Sequence, residues 1–381
     1  MLDLTTPESV GLDPQRWQFA LDLVDDWCRH DHIPSAGLLV AWSGKTTGPH
    51  LFGRQKLAGE HGSIRDDAIF LIASITKPIV ATGLMLLVER AEVALGDRVT
   101  QFIPEFGKNG KNGVTIRHLL THTSGLPDML PNNVELRAAN APLSEFVRHT
   151  CEVELEFPAG RAVQYQSMGF AILGEIIARV TGSTCSEFLH NELFQPLGMN
   201  DTELGTPDDW YDGDSPKADR IAEIRLPEVQ QEAGGCSWNW NGRYWRSLGA
   251  PWGGLLTTLA DLGKFAQMML CEGSVDGVRI LSPPTVRASV RNQLACMKEV
   301  PETDRRCRPW GLGWRLHWPA HSANFGDLLG PNTYGHWGAT GTVLWMDPDH
   351  DAFAVFLSTL PQEPHGSYLA RLANAVAAAM T

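Results

Sequence analysis

Apolar positions at Trp17, Leu21, Val24 and Trp27 recur three to four residues apart, with Pro14 just inside the start, and this spacing predicts an amphipathic helix over 13–29. Ala36 to Trp42 is a compact apolar run followed by the turn Ser43-Gly44-Lys45, which predicts a strand whose hairpin partner includes Leu51 and Phe52. From Ile75 to about Pro207 the period becomes helical. Helices are predicted over Ile79–Arg90, Arg117–Pro127 with Gly125 and Pro127 as its stop, Ser144–His149, Met168–Val180 and Cys185–Leu193. Residues 210–252 carry no period, and a helix over Leu259–Leu270 follows with Thr257 or Thr258 as its cap. Sheet character then returns. Trp310 to Trp318 alternates, Tyr334 to Met346 reads as one strand, and Asp347-Pro348-Asp349-His350 turns it into a second over Ala352–Leu360. An amphipathic helix over Tyr368–Met380 closes the chain.

Helix, hairpin, a long helical stretch, then strands and a final helix describe an α+β fold. Its antiparallel sheet, flanked by terminal helices, is expected from residues 1–74 and 250–381. A mostly helical region over 75–249 interrupts it, and the junction between the two is the expected place for a cleft.

Composition narrows the partners. The chain of 381 residues has a formal net charge of −13 and no basic run, which excludes nucleic acid and an anionic membrane surface as expected partners. No window of eighteen apolar residues is present, so no membrane-spanning helix is predicted. The first residues are acidic and form neither a basic nor an apolar leader region, and the seven cysteines are scattered without a Cys-x-x-Cys pair. Both features point to a cytoplasmic protein with reduced thiols and no structural zinc. Four aromatics crowd Trp238 to Trp245, in a glycine-rich segment that is either a surface loop, open to a partner, or a wall of the pocket.

Candidate chemistry begins at Ser74 and Lys77, three apart where a helix is predicted to start. A serine is a weak nucleophile unless a base takes its proton, and a lysine amine on the same helical face is a candidate, aided by the field at the helix N-terminus. The competing reading is a capping serine with an exposed lysine. Tyr165, ahead of Ser167 and after the turn Phe157-Pro158-Ala159-Gly160, would become a proton acceptor if an ammonium such as Lys77 stood beside it; otherwise it is a structural aromatic. His336-Trp337-Gly338-Ala339 offers small residues on a strand, suited to aiming backbone N–H groups at a developing oxyanion, with Trp337 facing away if the strand is regular. His118 and His122 are four apart and would share a helical face, but no third metal ligand accompanies them, so they read as structural. Gly311-x-Gly313 is too short for a nucleotide site, and no Gly-x-Ser-x-Gly elbow occurs.

Taken in order, Ser74-x-x-Lys77, Tyr165-x-Ser167 and His336-Trp337-Gly338 resemble the three active-site motifs of the serine beta-lactamase and penicillin-binding-protein-like superfamily, nearest its class C branch and the related family VIII carboxylesterases. The framework segments Arg117–Pro127, Phe157–Gly160, Pro196–Met199, Gly253–Phe265 and Gly341–Pro348 extend the resemblance over nearly the whole chain. It implies that Ser74 is acylated, that Lys77 and Tyr165 handle protons, and that the N–H groups of Ser74 and Ala339 form the oxyanion hole, with no cofactor. Gly338, Ser167, His336 and Trp337 would complete the substrate site. Ser167 stands where the lactamases mostly carry asparagine, and His336 where they usually carry the lysine associated with the substrate carboxylate. A mostly neutral histidine weakens that anchor, which tilts the reading toward carboxylic esters. Amide hydrolysis of a beta-lactam or a D-amino-acid peptide, acyl transfer, and a non-catalytic binding role are the alternatives.

Overall fold

The Asp13 carboxylate accepts the N–H of Arg16 at 2.9 Å and Pro14 takes the first helical position, which starts a helix over Pro14–Arg29. Its buried stripe of Trp17, Ala20, Val24 and Trp27 packs beside the closing helix Ser367–Ala379 on one face of the main sheet. The computed structural model describes residues 2–58, 62–227, 238–317, 324–361 and 367–381.

The sheet runs Asp3–Leu4, Lys45–Thr46, Ser35–Trp42, Ala352–Ser358, Thr342–Asp347, Tyr334–Gly338 and Arg315–Leu316, with His50–Gly53 also pairing with Ser35–Leu38. Every pairing is antiparallel except the first, where Asp3–Leu4 lies parallel to Lys45–Thr46. Side-chain alternation divides the central strands between two cores. Leu38, Val40, Val343, Trp345, Ala354 and Phe356 face the terminal helices, while Leu39, Leu344, Met346, Phe353 and Val355 face the helix Leu259–Leu270. That second face continues without a break into Ile79, Leu119, Phe170 and Leu173, so the sheet and the helical stretch share one core.

Four sequence expectations change. Ser43 and Gly44 both take positive φ, 50° and 73°, a two-residue turn that pairs Lys45 with Trp42 directly, so the strand holding Leu51 and Phe52 is the second partner rather than the first. The stretch Tyr334–Met346 is a hairpin of two strands, because Gly341 at φ 86° reverses the chain after Gly338. The alternation from Trp310 yields only the two-residue strand Arg315–Leu316 plus a bridge from Trp310 to Arg315, and Trp318 lies outside the described residues. The helix expected over Arg117–Pro127 closes at Leu120: the Thr121 hydroxyl bonds back to the Arg117 carbonyl at 2.8 Å, and His122 turns left-handed at φ 58°.

A small second sheet of Phe70–Leu71, Leu255–Thr257 and Glu203–Leu204 ties the segment before Ser74 to the one after Trp252. Among the described residues no helix is long and apolar enough to cross a membrane.

Candidate active site

The backbone corner at Ala73 sets the site. Ala73 sits at φ 46°, where an L side chain is strained by on the order of 1 kcal/mol, and its neighbours hold it there. Ile72 N–H donates to the Leu255 carbonyl at 3.0 Å and the Thr76 hydroxyl donates to the Ala73 carbonyl at 2.6 Å. From across the sheet, Thr340 and Thr342 donate hydroxyls to the carbonyls of Leu71 and Ile72 at 2.7 and 3.0 Å. The strand Phe70–Leu71 thus breaks sharply into a short 3₁₀ turn over Ala73–Ile75 and then the helix Thr76–Glu89, leaving half-buried Ser74 at the helix's head. Lys77 is fully buried one turn on. Its Nζ stands 3.0 Å from Ser74 Oγ and donates to the Trp252 carbonyl at 2.7 Å. The three-residue spacing therefore places nucleophile and amine in hydrogen-bond contact.

Tyr165 comes to the same point from the other side. Lys77 Nζ is 4.8 Å from the centre of its ring, which packs 4.8 Å from His122 and 6.0 Å from both Trp310 and His336, centre to centre. Both histidines are buried with their tautomers fixed by the backbone. His122 Nδ1 accepts the Gln166 N–H at 3.1 Å, so its proton is on Nε2; His336 Nδ1 faces the Trp337 carbonyl at 2.7 Å, so its proton is on Nδ1. Burial, reinforced by the charge of Lys77, drives His336 down to about 3 and holds His122 well below the ordinary histidine range. Both are neutral at pH 7.

A buried cation stands one strand away from His336. Arg315 pairs with Gly335 in the sheet and lays its guanidinium over the Trp310 ring at 5.3 Å, and Trp310 itself packs against His336 and His122. Burial draws Arg315 down to about 10 while the nearby Tyr165 pulls it the other way, so it stays charged. Sequence reasoning missed this residue, whose only signal is an arginine within the alternating run beside the histidine strand.

Gly338 shows why this strand is glycine-rich. A Cβ on it would lie 2.2 Å from the Ile72 carbonyl oxygen and 2.4 Å from Thr342 Oγ1, so only glycine lets the strand seat against the backbone leading to Ser74. Ala339 follows in the turn. Gly338→Ala is expected to cost roughly 1–3 kcal/mol by overpacking and to depress turnover by pushing Ala339 away from Ser74, as read by urea denaturation and initial rates. Trp337 is a correction to the substrate-site set: its side chain packs against the core under the terminal helices, on the face opposite His336, and only its carbonyl serves the site by orienting that imidazole. Ser167 is buried at the head of the helix Met168–Thr181, its N–H held by the Asp128 carbonyl at 3.1 Å.

His118 and His122 do not share a helical face. The helix has ended before His122, and their Nδ1 atoms accept backbone N–H groups of Gln166 and Thr115 respectively for His122 and His118. Among the described residues no group of three or more His, Cys, Asp or Glu is placed to hold a metal ion. His122→Phe leaves the Gln166 N–H buried and unpaired, which should cost about 1–3 kcal/mol in a denaturant titration.

The tryptophan segment turns inward. Trp252 and Trp245 are buried, Trp245 packs 5.7 Å from Trp238, and the Arg137 guanidinium packs against both of those rings at 4.4 and 4.5 Å. Trp252, whose carbonyl holds Lys77, ends this stack. Gly234, Gly235, Cys236 and Ser237 lie outside the described residues.

The Beta-lactamase family model matches residues 21–378. Penicillin-binding protein 4 of Amycolatopsis lactamdurans is 30% identical over 338 residues, covering 87% of this chain and 81% of that protein. Solved structures share the fold, among them the following two. EstCE1, described as a hydrolase with promiscuous acyltransferase activity, superposes with a TM-score of 0.75 at 18% identity, covering 95% of this chain and 99% of that one. A family VIII carboxylesterase gives 0.74 at 21%, covering 96% and 98%. With the family model running from within the first helix to within the last, through the central strands and the helical stretch between them, the chain belongs to the beta-lactamase family.

Proposed function

We propose that the protein is a serine hydrolase that cleaves small carboxylic esters through an acyl-enzyme on Ser74. The observation that carries this reading is the 3.0 Å contact between Ser74 Oγ and the buried Lys77 amine, with the Tyr165 ring beside that amine. Ser74 Oγ attacks the ester carbonyl as the Lys77–Tyr165 pair, reacting in the form that lacks one proton (neutral amine or phenolate), takes its proton; the tetrahedral oxyanion is met by the N–H groups of Ser74 and Ala339. The proton passes to the departing alkoxide, and a water then attacks the acyl-enzyme by the reverse path, releasing the acid. The neutral His336 supports an ester lacking a carboxylate at that position. No nucleic acid or membrane enters this chemistry. A cytoplasmic location is also proposed, in which the exposed Cys271, Cys296 and Cys307 would stay as thiols.

The test is a panel of nitrophenyl esters, beta-lactams and D-amino-acid peptides, with intact mass after a brief ester pulse. Ester turnover with an acyl adduct on Ser74 is expected; no turnover and no adduct would refute the reading.

Arg315 favours a second reading in the same family, hydrolysis of an amide bearing a carboxylate, such as a D-amino-acid peptide. In that case Arg315→Gln should raise KM for the carboxylate-bearing amide about tenfold and leave KM for a neutral ester unchanged. Acyl transfer is distinguished by product analysis with an added alcohol or amine.

A further inference from the structure

A cavity of ≈ 640 Å³ opens beside the edge strand Arg315–Leu316, with Arg291, Arg305, Arg306, His317, Asn332 and Thr333 in its lining. It is separate from the Ser74 site. Thr333 precedes the strand Tyr334–Gly338 whose other end carries Ala339, a run of about 20 Å for extended chain. Neither Ser74, Lys77, Tyr165 nor Arg315 lines it.

Its arginines outnumber its lining carboxylates, while Asp349 holds lining Asn332 and Asp347 and Asp327 act on His317 from behind. Three arginines face a single lining carboxylate, Glu302, which stands 3.7 Å from Arg306 in an exposed pair, on a chain whose overall charge is −13. Beneath its wall Arg305 Nε, His317 Nδ1 and Thr333 Oγ1 are buried without a hydrogen-bond partner among the described residues. His317 is 7% exposed and Thr333 1%, and buried polar atoms are rarely left unpaired. The accessible donors are the guanidinium groups of exposed Arg291 and Arg306 and of half-buried Arg305. Donors backed by guanidinium charge suit an acceptor-rich anion. The volume is that of a small organic molecule rather than of a lone ion.

We propose that this cavity binds a small organic anion, its carboxylate or phosphate group held by Arg305 and Arg291. The site is independent of the acyl-enzyme chemistry and stands or falls separately from it.

Calorimetric titration of the whole protein at low ionic strength tests it, with inorganic phosphate, succinate and neutral succinamide as probes. Saturable one-to-one binding is expected for phosphate, succinate or both, and none for succinamide; the stronger of the two anions identifies the group preferred. Arg305→Gln and the exposed Arg291→Gln should each weaken binding about tenfold, while Arg315→Gln, in the catalytic pocket, should leave it unchanged. Two arginine variants guard against one that fails to fold, with thermal unfolding as the check. Absence of saturable binding by either anion, binding that survives both substitutions, or binding lost in Arg315→Gln would overturn the proposal.

Discussion

Ser74→Ala and Lys77→Met are each expected to lower kcat on a nitrophenyl ester about 10⁴-fold or more, and the double variant to be no worse than the poorer single one. The non-additivity follows from the geometry. Ser74 Oγ and Lys77 Nζ form one hydrogen-bonded unit, so once either is gone the other has nothing to act upon. Methionine is the informative replacement at position 77 because the side chain is fully buried, and a methionine fills most of its volume where an alanine would open a cavity. Tyr165→Phe is a milder cut. It keeps the ring packed against His122 and Trp310 and removes only the hydroxyl, so a loss of about 10²–10³-fold is expected if that hydroxyl shares the proton work. Initial rates and intact mass provide the measurement. A Ser74→Ala variant that still forms an acyl adduct, or a double variant whose loss equals the product of the singles, would show that these residues do not act as nucleophile and base.

What the sequence disclosed and what it hid follow from how local each feature is. The Ser74–Lys77 contact depends on three residues of one helix start, and a spacing rule reaches it. Arg315 depends on register: its neighbours are fixed by pairing a two-residue strand with Gly335, twenty positions away, which no periodicity encodes. The hairpin inside Tyr334–Met346 was masked because apolar residues continue across it; only Gly341 in the left-handed region marks the reversal. His122 was misjudged for the opposite reason. A helical period was extended beyond Leu120, past the point where the Thr121 hydroxyl donates to the Arg117 carbonyl and the chain swings His122 under Tyr165. Trp337 shows the alternation rule at its most reliable, since a regular strand puts it on the face away from His336, where it is found. Asp3–Leu4, an exposed parallel edge pair, carries no hydrophobic pattern at all.

The buried histidines also make stability fall on acidification, well before the carboxylates titrate. His336 is held at about 3 in the folded chain by burial and by Lys77, against an ordinary value of 6.5, and His122 lies well below 6.5 for the same causes in the same order. His50, His118 and His317 are lowered by burial as well. Between the folded and unfolded values the unfolded chain binds more protons, so unfolding free energy rises with pH through that interval and is fully restored above 6.5. For His336 alone the slope is about 1.4 kcal/mol per pH unit, or about 2 kcal/mol between pH 6.5 and pH 5. The paired carboxylates Asp31, Asp67 and Asp201 are lowered from 3.8, so their contribution is lost only at more acid pH and leaves this window to the histidines. Urea midpoints should therefore drop steeply from pH 7 to pH 5, and His336→Gln should flatten that drop by about 2 kcal/mol. A midpoint unchanged over this range would mean that His336 takes up its proton in the folded state, placing a second positive charge beside Lys77 and undoing the argument for a neutral third motif.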